Sequence, residues 1–418
     1  MKVLWIAISE GLFAATSERS YNGGGWIAGL QTAVNLYYNE ISLGLAFLTH
    51  EKLPFKVEKD NCIYYPINDN KSFFEKIVDR ITIRDTKSHY TEYLKIIEDF
   101  KPDILHIFGV ELSYSYLVEL TDIPIVVHLQ GFLNPYLNAY FPPGMNEDSL
   151  LQSSKKIKEI LGLGFIYNYK IFKRNANREI GVLSKCKNVM GRTLWDRQIA
   201  DLMTNKACYY HVDEVLRDSF YCAEKWKYRK KRTRDIHIVT TISQTMYKGL
   251  DLIFKTVNLL EWFGIKYTWN IIGVNRDSNF VKLFEKHYRF SINEHNLIFC
   301  GRKKSEEIID IILQSDLYVH TSYIDNSPNS VCEAQFLGIP VVACNVGGVS
   351  SLIENRRTGF LIPANSPYEL SYIIKHYDEY DLETISKNEI QIAEKRHNRK
   401  KIVKTLIACY QNCINLNE

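Results

Sequence analysis

The chain has 418 residues, more than one hydrophobic core usually supports, so two domains are expected. Its hydrophobic content of 46% and charged content of 24% are ordinary for a globular protein, and a net charge of +4 is too small to indicate nucleic-acid binding by itself. The nine cysteines are scattered without metal-ligand spacing, which favours reduced thiols in a cytoplasmic protein over a disulfide framework. No stretch reaches the roughly 18 apolar residues that a membrane span requires.

Short apolar runs of strand length alternate with helical periods along the first half of the chain. Strands are predicted over residues 3–9, 43–49, 104–108 and 123–129, and helices over residues 27–38 and 90–100. Nearly continuous apolar strands separated by helices are typical of a parallel sheet that is covered on both faces.

The pattern restarts in the second half, which predicts another α/β unit. Its strands are expected over residues 236–241, 267–272, 297–299, 316–320 and 340–343. Residues 225–234 carry seven basic residues and no acid, which indicates a solvated linker, with attraction to an anionic membrane surface as the alternative. Residues 385–414 form a highly charged helical stretch that is expected to pack back across both domains.

The most informative segment is residues 322–343. Ser327 followed by Pro328 predicts the N-cap and first turn of a helix after a strand, and Gly338 predicts where that helix ends. Ligands of open α/β sheets bind at this edge, and the free N–H groups of a helix start suit an anion such as a diphosphate. Glu333 lies between one and two turns further in, where a carboxylate can accept hydrogen bonds from a ribose diol. The alternative is an exposed helix acid.

Two other segments of the second half follow predicted strands. Residues 345–350 contain Gly347 and Gly348, which allow close backbone approach to a ligand with N–H groups facing it. A simple turn is the alternative. Lys248 follows the strand at 236–241, where a lysine can neutralise phosphate charge as a leaving group forms. Surface lysines are common, so this position alone is a weak signal.

In the first half, the glycines at 23–25 precede a helical segment and form a candidate anion cradle. With Ala28 they fit the G-x-G-x-x-A pattern of dinucleotide sites. However, residues 10–22 separate them from the first strand, whereas that pattern normally follows the strand directly. This separation favours a mobile loop that folds across a cleft. His128 ends a predicted strand, so it is interpreted either as a catalytic or substrate-orienting group or as a buried structural histidine. His106 lies within a strand, where the structural role is favoured.

Taken together, these segments resemble the family 4 (group 1) glycosyltransferases with the GT-B fold. The second half carries the resemblance most specifically, because Lys248-Gly249, Glu333-Ala334 and Gly347-Gly348 stand in the family's order and spacing. The first half resembles the family more loosely, through the glycines at 23–25 and through His128.

The resemblance implies an α/β protein of two Rossmann-like domains, with a donor cleft between them and a C-terminal helix crossing back. The expected bounds are 1–222 for the acceptor-side domain, 223–235 for the basic linker, 236–384 for the nucleotide-sugar domain and 385–418 for a helical segment on the N-terminal domain.

The resemblance also implies a role for each matching residue. The catalytic residues would be His128, Lys248 and Asp325. Lys248 would contact the donor diphosphate and Glu333 the nucleotide ribose. The donor-binding set as a whole would be Gly24, Gly25, Gly301, Arg302, Glu333, Val346, Gly347, Gly348 and Val349.

Two departures from the family pattern stand out. Asp325 occupies the first position of the family's E-x7-E, where a glutamate is usual. Ile242 and Ser243 stand where the family usually has an arginine, so one cation on the diphosphate is missing. Arg192 or Arg302 is a candidate substitute.

The resemblance implies a function in surface-polysaccharide synthesis. Residues 191–197 resemble a signature of bacterial members that build capsule, lipopolysaccharide or exopolysaccharide, so a glycan acceptor, in some members lipid-linked, is expected. Residues 155–178 mix basic and apolar side chains, which favours peripheral contact with a membrane surface as much as ordinary amphipathicity.

The expected activity is retaining, metal-independent transfer of a hexose from a nucleoside diphosphate sugar to a glycan hydroxyl. No cofactor, metal or nucleic acid is expected, and no Asp-x-Asp metal motif is found in a suitable loop. The expected location is the cytoplasm or the inner face of the cell membrane. Three alternatives stay open: a catalytically impaired glycosyltransferase-like partner protein, a GT-B sugar-nucleotide epimerase or phosphorylase, and an NAD-dependent dehydrogenase.

Overall fold

The computed structural model describes residues 1–16, 25–70, 89–153, 164–229 and 235–416. The chain divides into two compact units. The first unit comprises Met1–Leu137, Lys156–Arg217 and His397–Glu418, and the second comprises Asn138–Lys155 and Asp218–Arg396.

The first unit is built on an eight-stranded sheet. Its strands are β1 Lys2–Ala7, β2 Ser42–Thr49, β3 Val57–Lys59, β4 Cys62–Asn68, β5 Ile104–Phe108, β6 Ile125–His128, β7 Asn188–Gly191 and β8 Cys208–His211. They lie in the order β3-β4-β2-β1-β5-β6-β7-β8, and every neighbouring pair is parallel except β3 with β4. All five residues of β5 are buried, which explains its continuous apolar run.

The second unit is built on a six-stranded, wholly parallel sheet. Its strands are β9 Ile236–Thr241, β10 Tyr267–Ile272, β11 Leu297–Gly301, β12 Leu317–His320, β13 Val341–Cys344 and β14 Phe360–Ile362. They lie in the order β11-β10-β9-β12-β13-β14. The carboxyl ends of β9, β12 and β13 are therefore neighbours at one edge, which is where ligands bind in sheets of this kind.

Helices connect the strands of both sheets. In chain order they are α1 Gly25–Tyr37, α2 Tyr90–Phe100, α3 Leu133–Asn138, α4 Glu147–Ser153, α5 Phe165–Leu183, α6 Leu194–Met203, α7 Asp218–Cys222, α8 Leu250–Trp262, α9 Asn279–Tyr288, α10 Ser305–Gln314, α11 Asn329–Leu337, α12 Pro367–Lys375, α13 Leu382–Arg396 and α14 Arg399–Asn415. Among the described helices, none is both long and apolar enough to cross a bilayer.

The predicted alternation of strands and helices is confirmed in both halves, and the predicted bounds of β5, β9, β10 and α2 agree with the structure. The short strands β3, β4, β7, β8 and β14 had no counterpart in the predicted set. β4 is seven residues long, β7 and β8 are four residues each, and β3 and β14 are three residues each.

The expected solvated linker at 223–235 is wrong for its first part. Trp226 is buried, its backbone N–H donates to the Leu337 carbonyl oxygen at 2.7 Å, and its Nε1–H donates to the Ser315 carbonyl oxygen at 2.8 Å. The indole anchors this segment to the second unit, because burial of its large apolar surface is favourable and its N–H finds a hydrogen-bond acceptor. Residues 230–234 lie outside the described residues.

The C-terminal stretch at 385–414 is two helices rather than one. α13 belongs to the second unit, whereas α14 belongs to the first, and the division falls between Arg396 and His397. Asn398 caps α14 by accepting from the Lys401 N–H at 3.0 Å, and this capping signal marks the interruption.

Candidate functional site

Lys248 lies at the carboxyl edge of the second sheet, in the turn between β9 and α8. Gly249 follows it with a φ of 74°, and a Cβ there would lie 2.0 Å from the Thr321 carbonyl oxygen. The Thr321 hydroxyl in turn donates to the Lys248 carbonyl oxygen at 2.8 Å. Only glycine allows the turn to lie this close to the end of β12, and the close approach fixes the Lys248 backbone.

Asp325 is the partner of Lys248. The lysine Nζ lies 2.6 Å from Asp325 Oδ2, and His320 Nε2 lies 3.1 Å from the same oxygen. Burial alone would raise the pKa of Asp325, but the charge of Lys248 and the hydrogen bond from His320 hold that pKa well below its usual 3.8. The carboxylate therefore stays ionised and accepts from both neighbours.

His320 completes this cluster, and sequence reasoning had given it no role. Because an ionised carboxylate can only accept, the Nε2 of His320 must carry a proton toward Asp325. Its Nδ1 is buried and has no hydrogen-bond partner within the described ranges. The usable signal was its place at the carboxyl end of β12, the same argument that singled out His128 in the first half.

The glycine turn after β13 folds onto Asp325. A Cβ on Gly347, which has a φ of 51°, would lie 2.0 Å from the Asp325 carbonyl oxygen, and the Gly348 N–H donates to that oxygen at 2.9 Å. The Val349 N–H donates to the Val346 carbonyl oxygen at 3.1 Å. The N–H groups of Gly348 and Val349 are therefore bonded within the protein in this structure, and the Gly348 N–H holds the backbone of Asp325 in place.

Glu333 lies on α11, every residue of which from 331 to 337 is buried. Its side chain is 6% exposed, so the alternative of an exposed helix acid is excluded. The predicted helix end at Gly338 is confirmed, with a φ of 86°. The predicted N-cap at Ser327 is wrong, because Pro328 holds an extended ψ of 113° and takes the cap position without a side-chain hydrogen bond.

The remaining donor-side candidates are Gly301 and Arg302. Gly301 ends β11 with a φ of 66°, a left-handed conformation that favours glycine, and a Cβ there would displace the Asn275 side chain, whose Oδ1 would lie 2.4 Å away. Arg302 is exposed at the start of the following loop.

In the first unit, His128 ends β6 and is fully buried. Trp26 packs against it with ring centroids 5.0 Å apart. Burial, together with the neighbouring His106 and Arg192, holds the pKa of His128 well below 6.5, so the ring is neutral. Gly25 begins α1 with a φ of 67°, whereas Gly24 lies outside the described residues.

Arg192 follows β7 and is engaged within the first unit. Its Nη2 donates to the carbonyl oxygens of Gln130 at 3.1 Å and Leu129 at 3.3 Å, and its Nε lies 3.6 Å from a Glu214 carboxylate oxygen. The guanidinium also lies over the Trp26 ring, 5.5 Å from its centroid. These contacts show Arg192 bracing the end of β6, which is a different task from the diphosphate contact suggested for it.

The first unit holds two further carboxylates, the buried Glu179 and the partly buried Glu111. Glu179 accepts the backbone N–H groups of Leu133 at 2.7 Å and Asn134 at 2.9 Å, so it holds the start of α3 beside the carboxyl end of β6. Burial, and then the charge of Glu179, raise the pKa of Glu111 to about 7. Neither residue shows a local pattern. The partners of Glu179 lie 45 and 46 positions away along the chain, so no short window of sequence contains them.

The sequence of the second unit matches a family model. Residues 224–396 match the family model described as glycosyl transferases group 1, and this match includes Lys248, Asp325, Glu333 and the glycine turn. That segment, which is less than half of the chain, is similar to the group 1 glycosyl transferases.

Individual relatives agree with this. The putative colanic acid biosynthesis glycosyltransferase WcaL of Salmonella typhimurium is 22% identical over 156 residues, which are 36% of this chain and 38% of that protein. The amylovoran biosynthesis glycosyltransferase AmsK of Erwinia amylovora is 23% identical over 169 residues, which are 38% of this chain and 40% of that protein. The chain thus spans about two fifths of the length of these relatives. The predicted resemblance to polysaccharide-synthesis members is confirmed.

Solved structures extend the likeness to the whole chain. Sucrose-phosphate synthase from Thermosynechococcus elongatus matches with a TM-score of 0.68 at 12% identity, covering 100% of both chains. The Anabaena protein HepE, solved with UDP and glucose, matches with a TM-score of 0.62 at 16% identity, covering 98% of both chains. At these identities the likeness shows the fold, which is the predicted GT-B fold.

Proposed function

We propose that this protein is a retaining glycosyltransferase that moves a hexose from a nucleoside diphosphate sugar to a glycan hydroxyl during synthesis of a bacterial surface polysaccharide. The observation that carries the proposal is the cluster of Lys248, Asp325 and His320 at the carboxyl ends of β9 and β12. It places a fixed positive charge at the edge of a parallel sheet inside the segment that matches the group 1 glycosyl transferases.

The chemistry needs a cation at the leaving group. The bond between the anomeric carbon and the phosphate oxygen breaks, and the acceptor oxygen bonds to the same face of that carbon while its proton passes to the leaving phosphate. Negative charge grows on the diphosphate, where Lys248 and the N-terminal end of α11 offset it. We propose that these groups replace a metal ion.

The remaining roles belong to the same proposal. Glu333, buried on α11, would accept hydrogen bonds from the nucleotide ribose, and Asp325 would keep Lys248 in position until the diphosphate takes over part of its charge. Gly301 and Arg302 would lie near the base, and the turn at Val346–Val349 would lie near the transferred sugar.

The nature of the partners is also a proposal. An Escherichia coli relative, 27% identical over 114 residues, is named as a UDP-Gal:alpha-D-GlcNAc-diphosphoundecaprenol alpha-1,3-galactosyltransferase. This supports a uridine nucleotide donor and a lipid-linked glycan acceptor here, reached from the inner face of the cell membrane.

The proposal is tested by donor hydrolysis and transfer with a panel of UDP-, GDP- and ADP-sugars. Lys248→Ala is expected to lower kcat by about 10²–10³-fold, the usual effect of removing a charge-stabilising group. Lys255→Ala is the matched control, since Lys255 also pairs with a buried aspartate, Asp251, at 2.8 Å in the same unit. The control is expected to keep its turnover.

Three results would contradict the proposal: near wild-type turnover in Lys248→Ala, loss of activity in EDTA, or an inverted anomeric configuration in the product analysed by NMR. The first two concern charge stabilisation, and the third concerns retention.

A catalytically impaired partner protein is the second candidate. Ile242, at 4% exposure, stands with Ser243 where the family usually has an arginine, so one cation is missing near the diphosphate. Calorimetry with nucleoside diphosphates distinguishes the two candidates, since an impaired protein is expected to bind the nucleotide without turning over any sugar of the panel.

A further inference from the structure

Four buried side chains form a line of hydrogen bonds through the first unit. Trp5 Nε1 lies 3.0 Å from Tyr410 Oη, Tyr410 Oη lies 2.6 Å from His106 Nδ1, and His106 Nε2 lies 3.2 Å from His128 Nδ1. All four residues have no exposed surface. They come from β1, α14, β5 and β6 and meet on one face of the sheet.

The first bond sets the direction of the line. An indole N–H can only donate, so Tyr410 must accept from Trp5. The phenol keeps one proton of its own, and His106 Nδ1 is the acceptor within reach. Were the phenol to accept from both neighbours, two buried groups would lack a partner among the described residues, the Tyr410 hydroxyl proton and the lone pair of His128 Nε2. The direction from Tyr410 to His106 leaves only one such group, the Nε2–H of His128.

The direction passes on to both histidines. Burial lowers the pKa of His106 to about 3, so its ring is neutral and, with Nδ1 accepting, carries its proton on Nε2. That proton goes to His128 Nδ1. Because His128 is also neutral, its own proton must be on Nε2, and this buried atom has no hydrogen-bond partner among the described residues.

We propose that Trp5, Tyr410 and His106 are positioning residues that fix His128 as the Nε2–H tautomer, so that His128 offers a hydrogen-bond donor rather than a general base to an oxygen of the bound sugar. The part of this statement that concerns the sugar rests on the proposed function. The tautomer itself does not.

The place of His128 in the sheet agrees with a donor to a ligand, while its side chain has no exposed surface in this structure. It ends β6 at the carboxyl edge of the first sheet, the edge where ligands bind in open α/β folds. A sugar hydroxyl or ring oxygen can accept from a neutral N–H, and the neighbouring Arg192 disfavours a second proton on the ring. The C-terminal helix thereby acts on His128 through Tyr410, without touching the ligand itself.

The test uses the intact chain with ¹⁵N-labelled histidine and long-range ¹H–¹⁵N correlation, which reports the tautomer of each ring. His128→Gln and His106→Gln assign the two signals. We expect both rings as Nε2–H tautomers in the wild-type protein near neutral pH. A proton on Nδ1 of His128, or on both of its nitrogens, overturns the proposal.

Trp5→Phe removes the donor that sets the direction and keeps an aromatic ring against Phe108, whose centroid is 5.2 Å away. The phenol is then free to turn, so both histidines are expected as mixed or reversed tautomers. Trp269→Phe is the matched control, because Trp269 is equally buried and donates to Thr240 Oγ1 at 2.9 Å in the other unit. It should leave the histidine signals unchanged.

Tyr410→Phe interrupts the line at its second member and serves if Trp5→Phe does not fold. In kinetics, Trp5→Phe or Tyr410→Phe should lower kcat/KM by about three- to ten-fold, the size of one lost hydrogen bond, and Trp269→Phe should not. Wild-type tautomers in a folded Trp5→Phe or Tyr410→Phe protein overturn the proposal.

The proposed tautomer and the proposed function can be contradicted independently of each other. If no sugar nucleotide turns over while the wild-type tautomers are as expected, the proposed function is wrong and the direction of the line stands. If sugar is transferred while His128 carries its proton on Nδ1, the direction is wrong and the proposed function stands.

Discussion

Two histidines, one in each unit, end a strand at the carboxyl edge of their sheet, and their surroundings are opposite. His128 ends β6 among neutral aromatic rings, accepts through Nδ1 and leaves Nε2 without a partner among the described residues. His320 ends β12 beside an ion pair and donates through Nε2 to Asp325. Its Nδ1 likewise has no partner among the described residues. A histidine at the end of a predicted strand is therefore a neutral donor in one unit and part of a charged cluster in the other. The residues that decide between the two come from other parts of the chain.

Under the proposed function, the difference assigns separate tasks to the two units. The first unit presents a neutral donor, which suits a sugar oxygen, since it binds without adding charge. The second unit presents an ionised pair, which suits a phosphate, since charge-assisted hydrogen bonds are roughly twice as strong as neutral ones. Substitutions in the cluster of Lys248, Asp325 and His320 should therefore change the free energy of unfolding most, and substitutions at uncharged contacts should change it less.

The largest effect on stability is expected from Asp325→Asn. The substitution leaves the charge of Lys248 beside a neutral amide in a largely buried place, and breaking one side of such a pair costs about 3 kcal/mol. Urea denaturation of both proteins measures the difference in the free energy of unfolding. The double variant Lys248→Met with Asp325→Asn removes both charges and should recover more than half of the loss. If the double variant is as unstable as the single one, the ion pair is not the cause.

The loss of stability in Asp325→Asn should also depend on pH. The pKa of Asp325 is lowered in the folded protein, so its contribution is fully present above the unfolded value near 3.8 and disappears as the pH falls toward the folded value. Wild type and Asp325→Asn should therefore differ most above pH 5 and converge below pH 4. A difference that stays constant from pH 6 to pH 3 would contradict the lowered pKa.

A smaller effect, of about 2 kcal/mol, is expected from Gly347→Ala. The new Cβ would lie 2.0 Å from the Asp325 carbonyl oxygen, which is backbone and cannot turn away, and the residue has a φ of 51°. Gly264→Ala is the matched control, since Gly264 has a φ of 67° but nothing within 4 Å of the added atom. The control should lose only about 1 kcal/mol, the cost of the backbone conformation. Equal losses would show that the approach to Asp325 is unimportant.

Local signals carried much of the second unit. The bounds of β9 and β10, the helix end at Gly338 and the places of Lys248 and Asp325 after strands follow from short-range patterns of apolar and turn residues. The ion pair between Lys248 and Asp325 did not, because 77 positions separate the two residues and only the neighbouring of β9 and β12 brings them together.

The first unit was less predictable for the same reason. The bond between Trp5 and Tyr410 spans 405 positions, and the one between His106 and Tyr410 spans 304. The sequence around His106 predicts a structural role and that around Tyr410 predicts none, since neither residue shows a distinctive local pattern. Partners at such separations are set by the packing of α14 on the sheet, which no window of sequence contains.

The smallest effect is a gain in stability, about 1 kcal/mol at pH 8, from Glu389→Gln. Glu389 lies fully buried on α13, where its Oε1 accepts the Val341 N–H at 3.1 Å and its Oε2 has no partner among the described residues. Burial raises its pKa well above the usual 4.5, so folding requires the carboxyl to keep a proton. The amide keeps the bond to Val341 and removes that requirement.

The sign of this effect is opposite to that of Asp325. A raised pKa in the folded protein means that the cost is absent below the unfolded value near 4.5 and grows as the pH rises through it toward the folded value. The gain from Glu389→Gln should therefore be near zero at pH 4 and largest at pH 8, measured as the shift of the urea midpoint. Glu383→Gln, at an exposed acid of the same helix, should shift the midpoint at neither pH. A destabilised Glu389→Gln protein at pH 8 would show that Glu389 is ionised in the folded protein, so that a buried carboxylate of this unit need not have a cation such as Lys248 beside it. An equal gain at pH 4 and at pH 8 would show that the protonation of Glu389 is not the cause.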